Sequence, residues 1–184
     1  ARGDNVGQVQ ALENVLSIRP GDVQAGIARG VAKALEGDLD TAEGDLSRLL
    51  SSNSGNGDVN AAYGLLAGLR DDSEAAVEHL SEASQQQNFV TVEVLTQLGV
   101  TLIAQGMFPE AEPRLARAME LPNASPAATY YHAVCLQELG DGRRAAKEFE
   151  LLVSAGGPYS TLAAVKAADF YLKDQDPEAA SSLM

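Results

Sequence analysis

The chain has 184 residues, 45% of them hydrophobic and 5% aromatic with no Trp, enough to bury the core of one domain or one short repeat array. A formal net charge of −13 repels phosphate backbones and argues against nucleic acid as a partner. No apolar run approaches the roughly 20 residues of a membrane span, so no membrane insertion is expected.

The first residues, "ARGDNVGQVQ", contain Arg2-Gly3-Asp4, the tripeptide that adhesion receptors read. The pairs Gly3-Asp4, Gly37-Asp38, Asp71-Asp72, Gly106-Met107, Gly140-Asp141 and Asp174-Gln175 begin 34, 34, 35, 34 and 34 residues apart. Periods of this size mark stacked helical repeats, so the tripeptide is expected to be a turn between helices rather than an adhesion signal. Five residues after each pair begins stand Gln8, Ala42, Ala76, Ala111, Ala145 and Ala179, and four further on Leu12, Leu46, Leu80, Leu115, Phe149 and Leu183. Seven before each turn the chain has Gly30, Gly64, Gly99, Ala133 and Ala167.

This register divides the chain as follows. Residues 1–21 form the second helix of a cut repeat, running from Asn5 to Ile18 and stopped by Pro20. Residues 22–55, 56–90, 91–124 and 125–158 are four complete repeats, and residues 159–184 an incomplete one. Each repeat has a first helix with apolar residues at helical spacing, as in Val94, Leu95, Leu98 and Leu102, then a Gly or Asp turn, then a second helix such as that of Ala111, Leu115 and Ala118, ended near Pro122. The small residue seven before the turn lets the paired helices approach closely. The single spacing of 35 implies one inserted residue within "SQQQNF", and "SSNSGNGD" is a loop between repeats. The cut ends read as a fragment of a longer array, whose terminal helices are open to end-to-end self-association.

The pattern resembles the tetratricopeptide repeat (TPR) family. "LTQLGVTLIAQGMFPEAEPRLARAMELP" carries the fullest match, at Leu98-Gly99, Leu102, Gly106, Phe108, Ala111, Leu115, Ala118 and Pro122. "YYHAVCLQELGDGRRAAKEFELL" matches at Ala133, Leu136, Gly140, Ala145 and Phe149. The resemblance implies an all-α fold, a right-handed superhelix of antiparallel helix pairs. Arg29, Lys33 and Lys166 stand where the family generally has apolar residues, which is expected to weaken the inner packing there.

No catalytic constellation, cofactor or metal site emerges. His79 and His132 lie in different repeats, and neither sits at metal-ligand spacing with Cys135. His132 and Cys135 are expected to pack rather than react. "GNGDVN" lacks the Lys and the third Gly of a phosphate loop. Asn123-Ala124-Ser125 is a glycosylation sequon in a loop between repeats. The acidic residues of the second helices, including Asp40, Asp45, Glu74, Glu78, Glu82, Glu110, Glu112, Glu148 and Glu150, are expected on a solvated convex face.

In the TPR family the fifth and ninth residues of each first helix line a concave groove. The resemblance assigns that role to Ile27, Ala61, Thr96, Tyr130 and Ala164, and to Val31, Leu65, Val100, Val134 and Ala168. The twelfth residues add Ala34, Gly68, Ile103, Gln137 and Tyr171. These positions lack the Lys, Arg and Asn with which chaperone adaptors of the family hold an acidic peptide terminus. An apolar stripe of this kind either receives a partner helix or peptide, with Tyr130 and Tyr171 as aromatic anchors, or is covered by neighbouring repeats.

The leading expectation is therefore a non-enzymatic scaffold that binds a protein or peptide partner. Two alternatives rest on the resemblance: a bacterial envelope component for polysaccharide or pilus export, or the substrate-recruiting module of an enzyme whose catalytic domain lies elsewhere. Cytoplasm and bacterial periplasm are both compatible with the sequence.

Overall fold

A computed structural model describes residues 2–86 and 91–183. Its described residues form helices without strands. In chain order these are α1 (Arg2–Ile18), α2 (Val23–Glu36), α3 (Leu39–Ser52), α4 (Gly57–Leu69), α5 (Ser73–Gln85), α6 (Val92–Ala104), α7 (Phe108–Glu120), α8 (Pro126–Glu138), α9 (Gly142–Ala155), α10 (Ser160–Lys173) and α11 (Pro177–Ser181). Two compact units divide the chain, residues 1–90 with α1 to α5 and residues 91–184 with α6 to α11. In the first unit α2 pairs with α3 and α4 with α5; in the second α6 pairs with α7, α8 with α9 and α10 with α11.

One turn chemistry recurs at every reversal within a pair. The first helix ends on a residue with positive φ: Gly37 (85°), Asp71 (60°), Gly106 (74°), Gly140 (89°) and Gln175 (63°). The next amide closes the helix end by bonding back to a carbonyl one turn inside, as from Asp38 to Lys33 at 3.0 Å and from Asp141 to Leu136 at 2.8 Å. That next residue also starts the second helix. Asp38, Asp72, Asp141 and Asp176 each accept the backbone N–H three residues on, satisfying a donor the helix would otherwise leave free. Met107 stands at the same place without a side-chain cap.

The small-residue column follows from close packing. A Cβ added at Gly30 would lie 2.7 Å from Leu46 Cγ, and one at Gly64 2.7 Å from Leu80 Cγ and 3.0 Å from the Leu80 backbone nitrogen. Both leucines are fully buried. The alanines five beyond the left-handed residue, Ala42, Ala76, Ala111, Ala145 and Ala180, are all at most 1% exposed.

The last member of that series corrects the sequence register. The left-handed residues lie 34, 35, 34 and 35 apart, so the final turn centres on Gln175 rather than Asp174. Ala180, not Ala179, enters the core. Contacts along α10 agree. Cys135, five before Gly140, donates its thiol to the Phe108 carbonyl at the start of α7. Phe170, five before Gln175, lies over Gly142 at the start of α9. The extra residue is taken up in the loop between α9 and α10, where Gly156 and Gly157 hold φ of 70° and 92°.

A second correction concerns the opening tripeptide. Gly3 and Asp4 lie in the first turn of α1, not in a reversal between helices. Of the "SQQQNF" segment, Gln87, Asn88 and Phe89 lie outside the described residues.

Candidate functional site

The predicted groove residues fall on the first helix of each pair and are half-buried with few exceptions. In the first unit Ile27 and Ala34 pack against a core of Ala42, Leu46, Ala62 and Leu66. Val31 is 37% exposed; Ala61 and Leu65 are half-buried. Val31 and Leu65 meet in one cavity of about 130 Å³ between α2 and α4, walled by Ala34, Leu46, Ala62 and Leu66 and edged by Leu35 and Leu69. Leu35 and Leu69 are 72% and 58% exposed. They lie two residues before each turn, a column the sequence reasoning passed over. The signal was available: a large leucine stands there in two successive repeats, where later repeats have Ala104 and Glu138.

In the second unit Thr96 is buried and its hydroxyl has no partner among the described residues. Val100 and Ile103 are half-buried on α6. Tyr130 and Val134 pack against the core of Ala133, Leu136 and Phe149. Tyr130 also belongs to an aromatic cluster with Tyr131 and Tyr159, its ring centroid 5.1 Å from that of Tyr159. Tyr171 is displaced by the register correction. Its hydroxyl donates to Glu150 Oε1 at 2.7 Å, and this bond, with burial and the carboxylate's charge, pushes its pKa up to about 12. Counted from Gln175, the groove columns of α10 hold Val165, Asp169 and Leu172 in place of Ala164, Ala168 and Tyr171. Val165 and Leu172 are 65% and 59% exposed.

The charged residues away from this face are mostly spent on structure. Arg29, expected to weaken the inner packing, is held by Asp45: its guanidinium bonds both carboxylate oxygens, with Nε 2.8 Å from Oδ2. Asp45 is 7% exposed, so it leaves the solvated face expected for it and compensates a cation held between α2 and α3. Lys33 pairs with Glu36 at 3.3 Å. The same pairing across a helix pair recurs at His132, which is 3% exposed. Its Nδ1 lies 2.8 Å from Glu148 Oε2 on α9, and its Nε2 3.5 Å from Glu112 Oε1 on α7. Burial alone lowers the His132 pKa, but the hydrogen bond and charge of Glu148, reinforced by Glu112, more than reverse it and hold it above the ordinary value. Glu148 thus also turns inward, while Glu112, its side chain 32% exposed, stays partly in solvent.

Cys135 is fully buried, and burial, with the charges of Glu112 and Glu138, pushes its thiol up to about 11. A thiol so protonated is a poor nucleophile. The amides of the "GNGD" loop that lead into α4 are already engaged. Gly57 N–H donates to Gln86 Oε1 at 3.0 Å, and those of Asp58 and Val59 donate to Asn56. Asn60, 2% exposed, braces the loop by donating its amide nitrogen to the Ser54 and Asn56 carbonyls, and its Oδ1 accepts from His79 Nδ1–H across 2.9 Å. Asn123 holds φ of 64°, a turn conformation that Asn tolerates well.

No family model matches the chain, and no curated protein matches it. Solved structures do. The Pseudomonas aeruginosa PilF structure superposes with a TM-score of 0.85 at 22% identity, over 99% of this chain and 82% of that one. YrrB, described as a TPR protein with an unusual peptide-binding site, gives 0.80 at 19% identity over 95% and 89%. A TPR protein of Parabacteroides merdae gives 0.73 at 19% over 99% and 72%. The chain has the TPR fold. Each unit is therefore a stack of TPR helix pairs, whose small-residue column and capped turn are the features derived above.

Proposed function

We propose that this TPR chain is a non-enzymatic scaffold that binds a helix or peptide of a protein partner along the apolar face of its first helices. The observation that supports this most is the open cavity between α2 and α4. Its walls are apolar and its edge leucines are exposed to water. Exposed apolar surface of this kind marks interaction sites. The peptide-binding site named for YrrB, a structure of the same fold, is in keeping with it. In the second unit the exposed Val165 and Leu172 and the half-buried Val100, Val134 and Tyr130 extend the same columns. The test is to replace Val31 and Leu65 together by Glu and, separately, Val100 and Val134 by Glu, then compare the proteins captured from a native extract. Each pair is expected to remove bound partners. Undiminished capture by both variants overturns the proposal.

A further inference from the structure

Resting on that reading, we propose that the site at α2 and α4 selects a basic amphipathic segment, one whose apolar side chain and Lys or Arg point the same way. The cavity of about 130 Å³ is of the size that admits one leucine or phenyl side chain. It does not stand alone. A second hollow, of about 420 Å³, shares Leu69 with it and is lined by Gly37, Asp38, Asp40, Arg70 and Asp71. An apolar socket therefore opens beside a polar shelf built by two successive turns.

The shelf is short of positive charge. Arg70 is the cation on it and is already engaged, 3.0 Å from Asp40 and 3.2 Å from Glu43. Lys33 reaches the shelf from α2, and it is held by Glu36 at 3.3 Å and lies 4.0 Å from Asp38. Two cations thus face five carboxylates: Glu36, Asp38, Asp40, Glu43 and Asp71. The Asp40 side chain is 94% exposed, so its charge is offered to whatever lies above it. A partner that fills the socket brings the flanking part of its chain over this shelf. There a Lys or Arg is attracted and a Glu or Asp repelled. On a helix, residues three or four apart share a face, so one apolar and one basic residue at that spacing satisfy both parts.

The experiment titrates the whole protein into three fluorescein-labelled peptides, read by anisotropy at low and high salt: a Leu/Lys amphipathic helix, its Leu/Glu counterpart, and a Ser/Lys control. Leu69→Ser removes the shared edge. Asp40→Asn with Asp71→Asn lowers the shelf charge, and Glu78→Gln with Glu82→Gln makes the same charge change on the exposed face of α5. The Leu/Lys peptide is expected to bind, about tenfold more weakly to Leu69→Ser, and several-fold more weakly to the shelf variant than to the α5 variant, with the difference fading at high salt. Equal weakening by the two charge variants, or binding of the Ser/Lys peptide as tight as that of Leu/Lys, means diffuse acidity and overturns the proposal. Leu/Glu binding that is equally tight and equally sensitive to Leu69→Ser overturns the basic partner while the apolar groove stands. A failure of all three peptides, with Leu69→Ser changing the sedimentation of the protein alone, makes a second copy the occupant and overturns it too. Where Val31→Glu with Leu65→Glu and Val100→Glu with Val134→Glu both leave native capture unchanged, the groove reading falls with it.

Discussion

Gly64→Ala and Gly44→Ala are the same chemical change with opposite expected outcomes. Both glycines lie inside helices, α4 and α3. Ala is favoured over Gly in a helix interior by about 1 kcal/mol, because Gly loses more backbone freedom on folding. At Gly44 nothing lies within 4 Å of the added methyl, so the whole gain is realised. At Gly64 the methyl meets Leu80 Cγ at 2.7 Å, Leu80 Cδ2 at 3.1 Å and the Leu80 backbone nitrogen at 3.0 Å. Ordinary carbon contacts lie near 3.5–4.0 Å, so α4 and α5 must separate by roughly 1 Å. Rotating Leu80 cannot relieve the backbone contact, and its side chain is fully buried. Overpacking of this kind costs about 1–3 kcal/mol, which outweighs the propensity gain. Gly44→Ala is expected to melt about 2–4 °C above the parent and Gly64→Ala about as far below it. Because helical arrays can unfold in parts, amide exchange along α4 and α5 accompanies the melting curve. Exchange in that pair should quicken for Gly64→Ala and stay unchanged for Gly44→Ala. If Gly64→Ala proves as stable as Gly44→Ala, the small-residue column is not set by helix approach, and the account given for it fails.

Three further outcomes follow from the buried polar groups. His132 has a raised folded pKa, so the stability it contributes is complete below its ordinary value, near 6.5, and is lost as pH rises through the folded value. Melting temperature should fall between pH 6 and 8 (about the range in which His titrates) more in the parent than in His132→Gln, and equal slopes would refute the carboxylate sandwich. Asp45→Ala strands Arg29, whose side chain remains 23% exposed. The loss should be about 2 kcal/mol in urea titration, less than for a fully buried pair, and Arg29→Met with Asp45→Leu should recover most of it. Asn60→Ala removes two bonds to loop carbonyls and one to His79. It should cost about 2–3 kcal/mol and quicken amide exchange at Gly55 to Gly57, whereas a merely solvated Asn would change neither.

What the sequence disclosed and what it hid divide along a physical line. The helix pairs were legible because the turn, the small residue and the buried alanine are each demanded by local sterics and recur with little choice of residue. Gly37, Gly106 and Gly140 could be counted as marks because few residues tolerate positive φ cheaply. The same logic explains the one miscount. At the last turn Gln175 takes the left-handed position without being Gly or Asn, and Asp174 before it imitates an Asp-led turn. Residue type pointed one place early, and every column counted from it, Tyr171 included, slid with it. The true position is set by packing: Phe170 over Gly142 fixes the rotation of α10, and Ala180 in the core fixes that of α11. The charged residues were misassigned for a related reason. Periodicity places Asp45, Glu112 and Glu148 on second helices, but not on a face of known exposure, because a carboxylate can turn inward wherever the opposite helix offers a guanidinium or an imidazole. Arg29 and His132 do so, each sixteen residues before its partner, across the helix pair and one position ahead of the small-residue column. Reading Arg29 and Asp45, or His132 and Glu148, singly makes each a departure from an apolar consensus. Taken at that spacing, each is half of a hydrogen-bonded pair that the repeat period itself brings together.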